Sequence, residues 1–155
     1  MKAEDIIFEN KKLHVVFELM EMNLTQFIRK RYKERRDARF DENTEVRVLM
    51  KQVLIGMQYL NDELGILHRD VKPDNIMINT KPLSCKLIDF GTCKDTTLDG
   101  KGPHTSYVST RWYRAPECIL RSHTYNFTSD IFAVGCVMAE FYIMRPLFPG
   151  TSELD

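Results

Sequence analysis

Two short apolar runs, DIIFEN and KLHVVFELM, occupy residues 5–10 and 12–20 of the chain. Both runs are rich in Ile, Val and Phe, which favour strands. The polar residues Asn10, Lys11 and Lys12 fall where the runs meet. This pattern predicts an antiparallel strand pair joined by a tight polar turn.

Beyond these runs, apolar residues recur at helical spacing in two segments. The first segment is short and ends in a strongly basic run, and the second is longer. Asp41 or Asn43 is expected to cap the longer helix, which runs through Glu63 and stops at Gly65. The apolar positions are Leu24, Phe27 and Ile28 in the first segment, and Val46, Leu49, Met50, Val53, Met57 and Leu60 in the second.

Residues 76–78 and 85–88 are predicted to form two short strands, with Lys81 and Pro82 in the turn between them. Residues 89–117 show little periodicity. A loop of that length inside a compact domain is usually functional or disordered.

The last long apolar segment spans residues 128–144. Thr128 is predicted to cap a helix there, and Glu140 is its only charged residue after the first turn. Because a helix that is apolar on every face is normally buried, we expect this helix to lie in the core. It is too short for a membrane span.

Composition narrows the class of protein. The 155 residues carry 22 basic and 22 acidic side chains, so bulk charge gives no argument for nucleic-acid or membrane binding. The four cysteines form no CxxC pair, and the first residues do not resemble a signal peptide. We therefore expect one domain in an intracellular protein, cytoplasmic or nuclear, with reduced thiols.

The segment HRDVKPDN, residues 68–75, crowds acids, bases and an amide between apolar neighbours. A solvated surface loop would explain its polarity. A catalytic loop would explain its composition better, because it holds a proton acceptor, a cation and an oxygen ligand together. Two further motifs favour the catalytic interpretation, Asp89-Phe90-Gly91 after a predicted strand and Ala115-Pro116-Glu117 at the end of the long loop.

In the order HRDxxxxN, DFG and APE, these motifs resemble the signature of protein kinases. The resemblance implies that Asp70 is the catalytic base and that Lys72 contacts the transferred phosphate. Asn75 and Asp89 would be ligands of Mg²⁺ bound with ATP. Lys72 also matches the serine/threonine-kinase pattern.

The stretches ELMEMNL, DFGTC, RWYRAPECIL and PLFPGTSELD are similar to the CMGC kinases, which include cyclin-dependent and mitogen-activated kinases, and especially to their MAK-related (RCK) branch. This resemblance implies protein substrates phosphorylated at Ser or Thr followed by Pro. Thr110 would contact the catalytic aspartate, and Asp130 would bond the backbone of the HRD motif.

The resemblance also implies a hinge in FELM that binds adenine. Phe17 would be the gatekeeper, the backbones of Glu18 and Met20 would bond the ring, and Met77 would pack beneath it. Plain core packing is the alternative role for Phe17 and Met77.

Thr105 and Tyr107 form a Thr-x-Tyr pair in the long loop. An upstream kinase would phosphorylate them, and the phosphates would pair with nearby cations and order the loop. These cations are Arg69, Lys94, Arg111 and Arg114.

The chain departs from the kinase signature in lacking the Gly-rich loop, the strand Lys and its Glu partner. We therefore expect an α+β fold that is an incomplete, bilobal, protein-kinase-like domain. Residues 1–20 would form small-lobe strands and the hinge, and residues 21–155 a truncated large lobe. The alternative is a catalytically inactive fragment that acts as an interaction or dominant-negative module.

A nucleic-acid-binding role for the basic run RKRYKERRDAR is less favoured, because Glu34 and Asp37 interrupt the run.

Overall fold

The chain begins with the antiparallel strand pair that the apolar runs predict, β1 (Ala3–Glu9) and β2 (Lys12–Phe17). Asn10 and Lys11 make the turn with φ angles of 51° and 60°, a conformation that suits a two-residue hairpin. The structure is a computed structural model that describes residues 3–34, 39–96, 111–120 and 125–152.

Both predicted central helices are present, as α1 (Leu24–Glu34) and α2 (Arg47–Gln58). Asp41 caps the approach to α2, because its carboxylate accepts the backbone N–H groups of Asn43 and Thr44. Five-residue π-helical turns, Glu42–Val46 and Tyr59–Glu63, extend α2 at both ends. Gly65 follows with a φ of 62°, the left-handed conformation expected after a helix.

A three-stranded antiparallel sheet of β3 (Met22–Asn23), β5 (Ile76–Thr80) and β6 (Leu83–Leu87) packs against α2. Strands β5 and β6 form a hairpin in which Ile76 pairs with Leu87 and Thr80 with Leu83. The predicted strands were right in kind but slightly misplaced at their ends, since pairing continues up to the Lys81–Pro82 turn. Strand β4 (Ile66–Leu67) pairs with β7 (Lys94–Asp95).

The short helix α3 (Pro116–Ile119) precedes the long helix α4 (Phe127–Ile143). The prediction that Thr128 caps α4 was wrong. The cap is Asn126, whose side-chain oxygen accepts the backbone N–H of Thr128 at 2.9 Å. Met144 ends α4 with a φ of 56°.

The prediction that α4 is buried on every face was also wrong. One face lies in the core, including Val137 and Phe141, which are 0% and 1% exposed. Met138 and Tyr142 on another face are 43% and 48% exposed. Among the described elements, α2 and the turn Arg111–Tyr113 pack on α4 and leave this second face exposed.

The core joins both helical segments to the sheet and to α4. Phe40 links them, since its ring lies 5.2 Å from the rings of both Phe27 and Phe141. The α+β class predicted from the sequence is confirmed. Across the described residues, no helix has the length and apolar character needed to span a membrane.

Candidate active site

The segment from His68 to Asn75 connects β4 to β5 and so is held at both ends by strands. Its last three residues form the short turn Pro73–Asn75, which is closed by the backbone N–H of Asn75 donating to the carbonyl of Lys72 at 3.0 Å. Proline is well suited to the first position of such a turn because it has no N–H to satisfy. We call this segment the catalytic loop.

Asp70 is the centre of the catalytic loop. Its side chain is only 8% exposed, and its Oδ2 accepts hydrogen bonds from Lys72 Nζ at 2.7 Å and Asn75 Nδ2 at 2.9 Å. Asn75 Nδ2 also donates to the Asp70 carbonyl at 2.8 Å. Three of the four residues with predicted catalytic roles therefore meet at one carboxylate, held by charge-assisted bonds.

Asp130, in the first turn of α4, anchors this loop from the other side. Its carboxylate oxygens accept the backbone N–H groups of His68 and Arg69, each at 2.9 Å, and the hydroxyl of Tyr125. Arg69 has a φ of 69°, a strained angle for a side chain of this size. The carboxylate, itself 0% exposed, stabilises that backbone, as the sequence resemblance implied.

Asp89 and Phe90 lie beside the loop, after β6. The N–H of Ile88 donates to the carbonyl of Asn75 at 3.0 Å, which brings the residue before Asp89 against Asn75. Asp89 adopts a φ of 63°, and its Oδ1 accepts the N–H of Gly91 at 3.3 Å. The sequence pattern gave no indication of either left-handed residue, Arg69 or Asp89.

His68 packs against Phe90, with ring centroids 5.3 Å apart. Burial lowers the pKa of His68. Its Nε2 lies 3.1 Å from the carbonyl oxygen of Ile88, to which the neutral ring donates when that nitrogen carries the proton. The hydroxyl of Thr92 donates to the His68 carbonyl at 3.1 Å, a further tie between the two motifs.

The candidate metal ligands fit Mg²⁺. The amide nitrogen of Asn75 is used to bond Asp70, so its Oδ1, on the opposite side of the amide group, is directed elsewhere. Asp89 is exposed and adds a carboxylate, and magnesium prefers such oxygen ligands. Within the described ranges, no group of three His, Cys, Asp or Glu side chains forms another metal site.

The predicted hinge FELM, residues 17–20, starts at the end of β2, and the loop 18–21 that joins β2 to β3 contains most of it. We call this loop, including Glu21, the hinge. Phe17 is the last residue of β2 and is 46% exposed, whereas Met20 is 5% exposed. Glu18 forms an ion pair with Lys86 of β6. Lys86 stands directly opposite Met77 in the β5–β6 hairpin, so Lys86 links Glu18 to the strand pair that holds Met77.

The structure describes only some of the predicted regulatory residues. Thr105, Tyr107 and Thr110 lie outside the described residues. Lys94 pairs with Leu67 in the β4–β7 ladder, and Leu67 is two positions before Arg69.

Arg111 and Arg114 lie further along the chain, joined by a backbone bond of 3.0 Å from the Arg114 N–H to the Arg111 carbonyl. The guanidinium of Arg69 lies 5.9 Å from the ring centre of Tyr125. Sequence reasoning missed Tyr125, since nothing in its spacing from Asp130 marked it.

Comparison with known proteins identifies the family. The protein kinase domain family matches residues 1–155, the whole chain. The chain is 44% identical over 155 residues to the serine/threonine-protein kinase ICK of Mus musculus and to the serine/threonine-protein kinase MAK of Homo sapiens. It is 41% identical over the same length to cyclin-dependent kinase F-3 of Oryza sativa subsp. japonica.

These alignments cover 100% of the chain but only 23% of the ICK and MAK proteins and 33% of the rice kinase. The chain thus spans a quarter to a third of the length of these relatives. Together, the HRD, DFG and APE motifs, the α+β fold and these similarities show that the chain belongs to the protein kinase family, among the serine/threonine kinases of the CMGC group.

Proposed function

We propose that this protein transfers the γ-phosphate of ATP to Ser or Thr hydroxyls of protein substrates, at sites followed by Pro. The observation that carries the proposal is the bonding of the Asp70 carboxylate by Lys72 and Asn75, in a loop anchored by Asp130. A carboxylate fixed in this way can orient an acceptor hydroxyl without itself binding the nucleotide.

In the proposed reaction, the acceptor oxygen forms a bond to the γ-phosphorus as the bond to the bridging oxygen of ADP breaks. Asp70 receives the proton of the hydroxyl. The ammonium of Lys72, 2.7 Å from Asp70, neutralises charge on the transferred group. Asn75 and Asp89 would hold Mg²⁺, which supplies further neutralisation of the phosphates when bound.

We propose that the backbones of Glu18 and Met20 in the hinge form hydrogen bonds with the adenine ring. Phe17 would be the gatekeeper beside the adenine pocket, and Met77 would pack beneath the ring. The proposed division of the chain, with strands and hinge in residues 1–20 and the large lobe in 21–155, is supported by the sheets. Within the part of the chain that the structure describes, β1 and β2 pair only with each other, while β3 pairs with β5.

Regulation follows the same resemblance. We propose that an upstream kinase phosphorylates Thr105 and Tyr107 and that Thr110 contacts Asp70. From the motifs ELMEMNL, DFGTC, RWYRAPECIL and PLFPGTSELD, we also propose a relationship to the MAPK/MAK/MRK-overlapping kinase of the MAK-related branch. We propose an intracellular location, cytoplasmic or nuclear, on the composition and cysteine usage of the chain.

A second candidate function is a non-catalytic interaction module. The observation in its favour is the exposure of apolar side chains on the first strand pair, where Ile6, Phe8 and Leu13 are 64%, 73% and 64% exposed. Large exposed apolar patches mark interaction surfaces. An enzyme assay separates the two candidates, because only the first predicts phosphate transfer.

The test compares Asp70→Asn with Asp89→Asn in the protein at its natural length. Asp70→Asn should lower kcat by about 10²–10⁴-fold while ATP affinity is kept, because its carboxylate acts on the acceptor. Asp89→Asn should instead weaken magnesium-dependent nucleotide binding. Asp62→Asn, on an exposed turn after α2, is the matched control and should change neither quantity. Equal effects of the first two variants on nucleotide affinity would contradict these roles.

A further inference from the structure

The hinge is attached to the turn of the β5–β6 hairpin by four hydrogen bonds. The backbone N–H of Glu21 donates to Asn79 Oδ1 at 3.0 Å. The Glu21 carboxylate accepts the backbone N–H of Thr80 at 3.0 Å and its hydroxyl at 2.7 Å. Asn79 Nδ2 donates to Met20 Sδ at 3.4 Å. Neither Asn79 nor Thr80 was singled out by the sequence motifs.

Each of these hydrogen bonds joins a different donor to a different acceptor atom. The two Thr80 donors bond separate oxygens of one carboxylate, and they lower the pKa of Glu21. The Asn79 side chain uses both ends of its amide, one on each of two consecutive hinge residues. Such paired contacts fix the orientation of the hinge backbone as well as its distance from the sheet.

The opposite end of the same hairpin carries the candidate metal ligands. Asn75 immediately precedes β5, and Asp89 comes two residues after β6. Strand β5 has five residues, which at roughly 3.3 Å per residue span about 16 Å. One rigid hairpin thus connects the residues proposed to hold the base with those proposed to hold the phosphates.

We propose that Asn79 and Thr80 are positioning residues for the nucleotide, which hold the adenine-binding hinge at a fixed distance from Asn75 and Asp89. The inference rests on the proposed function, because it assigns the hinge to the base. Holding both ends of a substrate in register reduces the entropy lost on binding. A hinge released from the turn would bind ATP more weakly, although the catalytic loop would be unchanged.

The test compares Thr80→Val, which removes the hydroxyl but keeps the size and the N–H, with Thr80→Ser, which keeps the hydroxyl. Thr44→Val is a matched control. The Thr44 hydroxyl also donates to an exposed carboxylate, Asp41 Oδ1, at 2.7 Å. That bond belongs to the N-terminal cap of the α2 segment and has no contact with the hinge. ATP and peptide kinetics are measured at natural protein length, together with hydrogen exchange of residues 18–24 without nucleotide.

Thr80→Val should raise KM for ATP about three- to tenfold, the range expected for one hydrogen bond, with kcat and the peptide KM changed less than about twofold. Hydrogen exchange at the hinge should become faster, and Thr80→Ser should restore both values. Thr44→Val should lower thermal stability without affecting KM for ATP.

An unchanged KM in Thr80→Val, or an equal rise in Thr44→Val, would overturn the positioning role while the proposed function stood. If the wild-type protein bound ATP without transferring phosphate, the same comparison would be made on Kd, and an unchanged Kd would again overturn the role. A wild-type protein that bound no ATP would overturn both proposals.

Discussion

The phenol of Tyr113 donates a hydrogen bond of 2.7 Å to the carboxylate of Glu140, and both side chains are buried. This hydrogen bond connects the turn Arg111–Tyr113, just before the APE motif, to the last turn of α4. Burial raises the pKa of both groups. Glu140, the charged residue of α4 beyond its first turn, is thereby explained as the acceptor for Tyr113.

Removing the Tyr113 hydroxyl should lower the free energy of unfolding more than neutralising the Glu140 carboxylate. Tyr113→Phe leaves a buried carboxylate without its bond and should lower the free energy of unfolding by about 1–3 kcal/mol. Glu140→Gln keeps a side-chain oxygen for the phenol and avoids desolvating a charge, so its cost should be smaller. Urea unfolding at pH 7 measures both. A greater loss in Glu140→Gln would show that the charge itself is needed.

The stability of the protein should depend on pH through Glu140, the partner of Tyr113. The pKa of Glu140 is raised above its ordinary value of 4.5 in the folded state. Its contribution to stability is therefore fully present below pH 4.5 and is lost as the pH rises through the folded-state pKa. Compared with wild type, Glu140→Gln should lack this component of the pH profile. Identical profiles from pH 4 to 8 would contradict the raised pKa.

Asp130 should be the most sensitive support of the catalytic loop. Asp130→Ala leaves the N–H groups of His68 and Arg69 without their buried acceptor, and we expect a loss of about 2–4 kcal/mol. Asp130→Asn, which keeps one oxygen, should cost less. Denaturant unfolding gives the free energies, and hydrogen exchange at residues 68 and 69 should accelerate in both variants. Protection as in the wild type would show that the loop is held by other contacts.

Phosphorylation of Thr105 and Tyr107 should slow proteolysis within residues 91–117. Each phosphate adds roughly −1.5 to −2 charge, and the predicted partner Lys94 lies in β7, where it pairs with Leu67 of β4. Limited trypsin digestion of matched phosphorylated and unphosphorylated samples measures the effect. Lys94→Gln should reduce the protection, after allowance for the lost cleavage site. Equal digestion of the two forms would remove the proposed ordering.

Residues 1–155 expressed alone should aggregate through the exposed face of α4 and show no measurable kinase activity, since the chain lacks the Gly-rich loop and strand Lys of the kinase signature. Met138→Lys, at a position 43% exposed, should increase the monomeric fraction in size-exclusion chromatography. Val137→Lys is the control, because that position is 0% exposed and a charge there should unfold the chain. Monodisperse, active wild-type material would contradict the prediction.

The sequence predicted α1, α2, α4 and the strand pairs β1–β2 and β5–β6, because apolar periodicity is a local signal. The short elements β3, β4, β7 and α3 carry too few residues for such a signal, and they were not predicted. The sequence placed the α4 cap at Thr128, because either Asn or Thr can accept the first N–H groups of a helix and only the backbone decides between them. It overestimated the burial of α4, since apolar composition does not say which faces have neighbours. The bonds of Asn79 to the hinge were missed because Asn79 and Glu21 are 58 positions apart.

The anchoring of His68 by Asp130 also has a consequence for biosynthesis. The two residues are separated by 62 positions in the chain, so the catalytic loop leaves the ribosome well before the carboxylate that stabilises its backbone. At a synthesis rate of roughly 5–20 residues per second, the delay is about 3–12 s. During that interval the strained backbone at Arg69 has no partner from α4, and the nascent loop acquires its native geometry only when the long helix arrives.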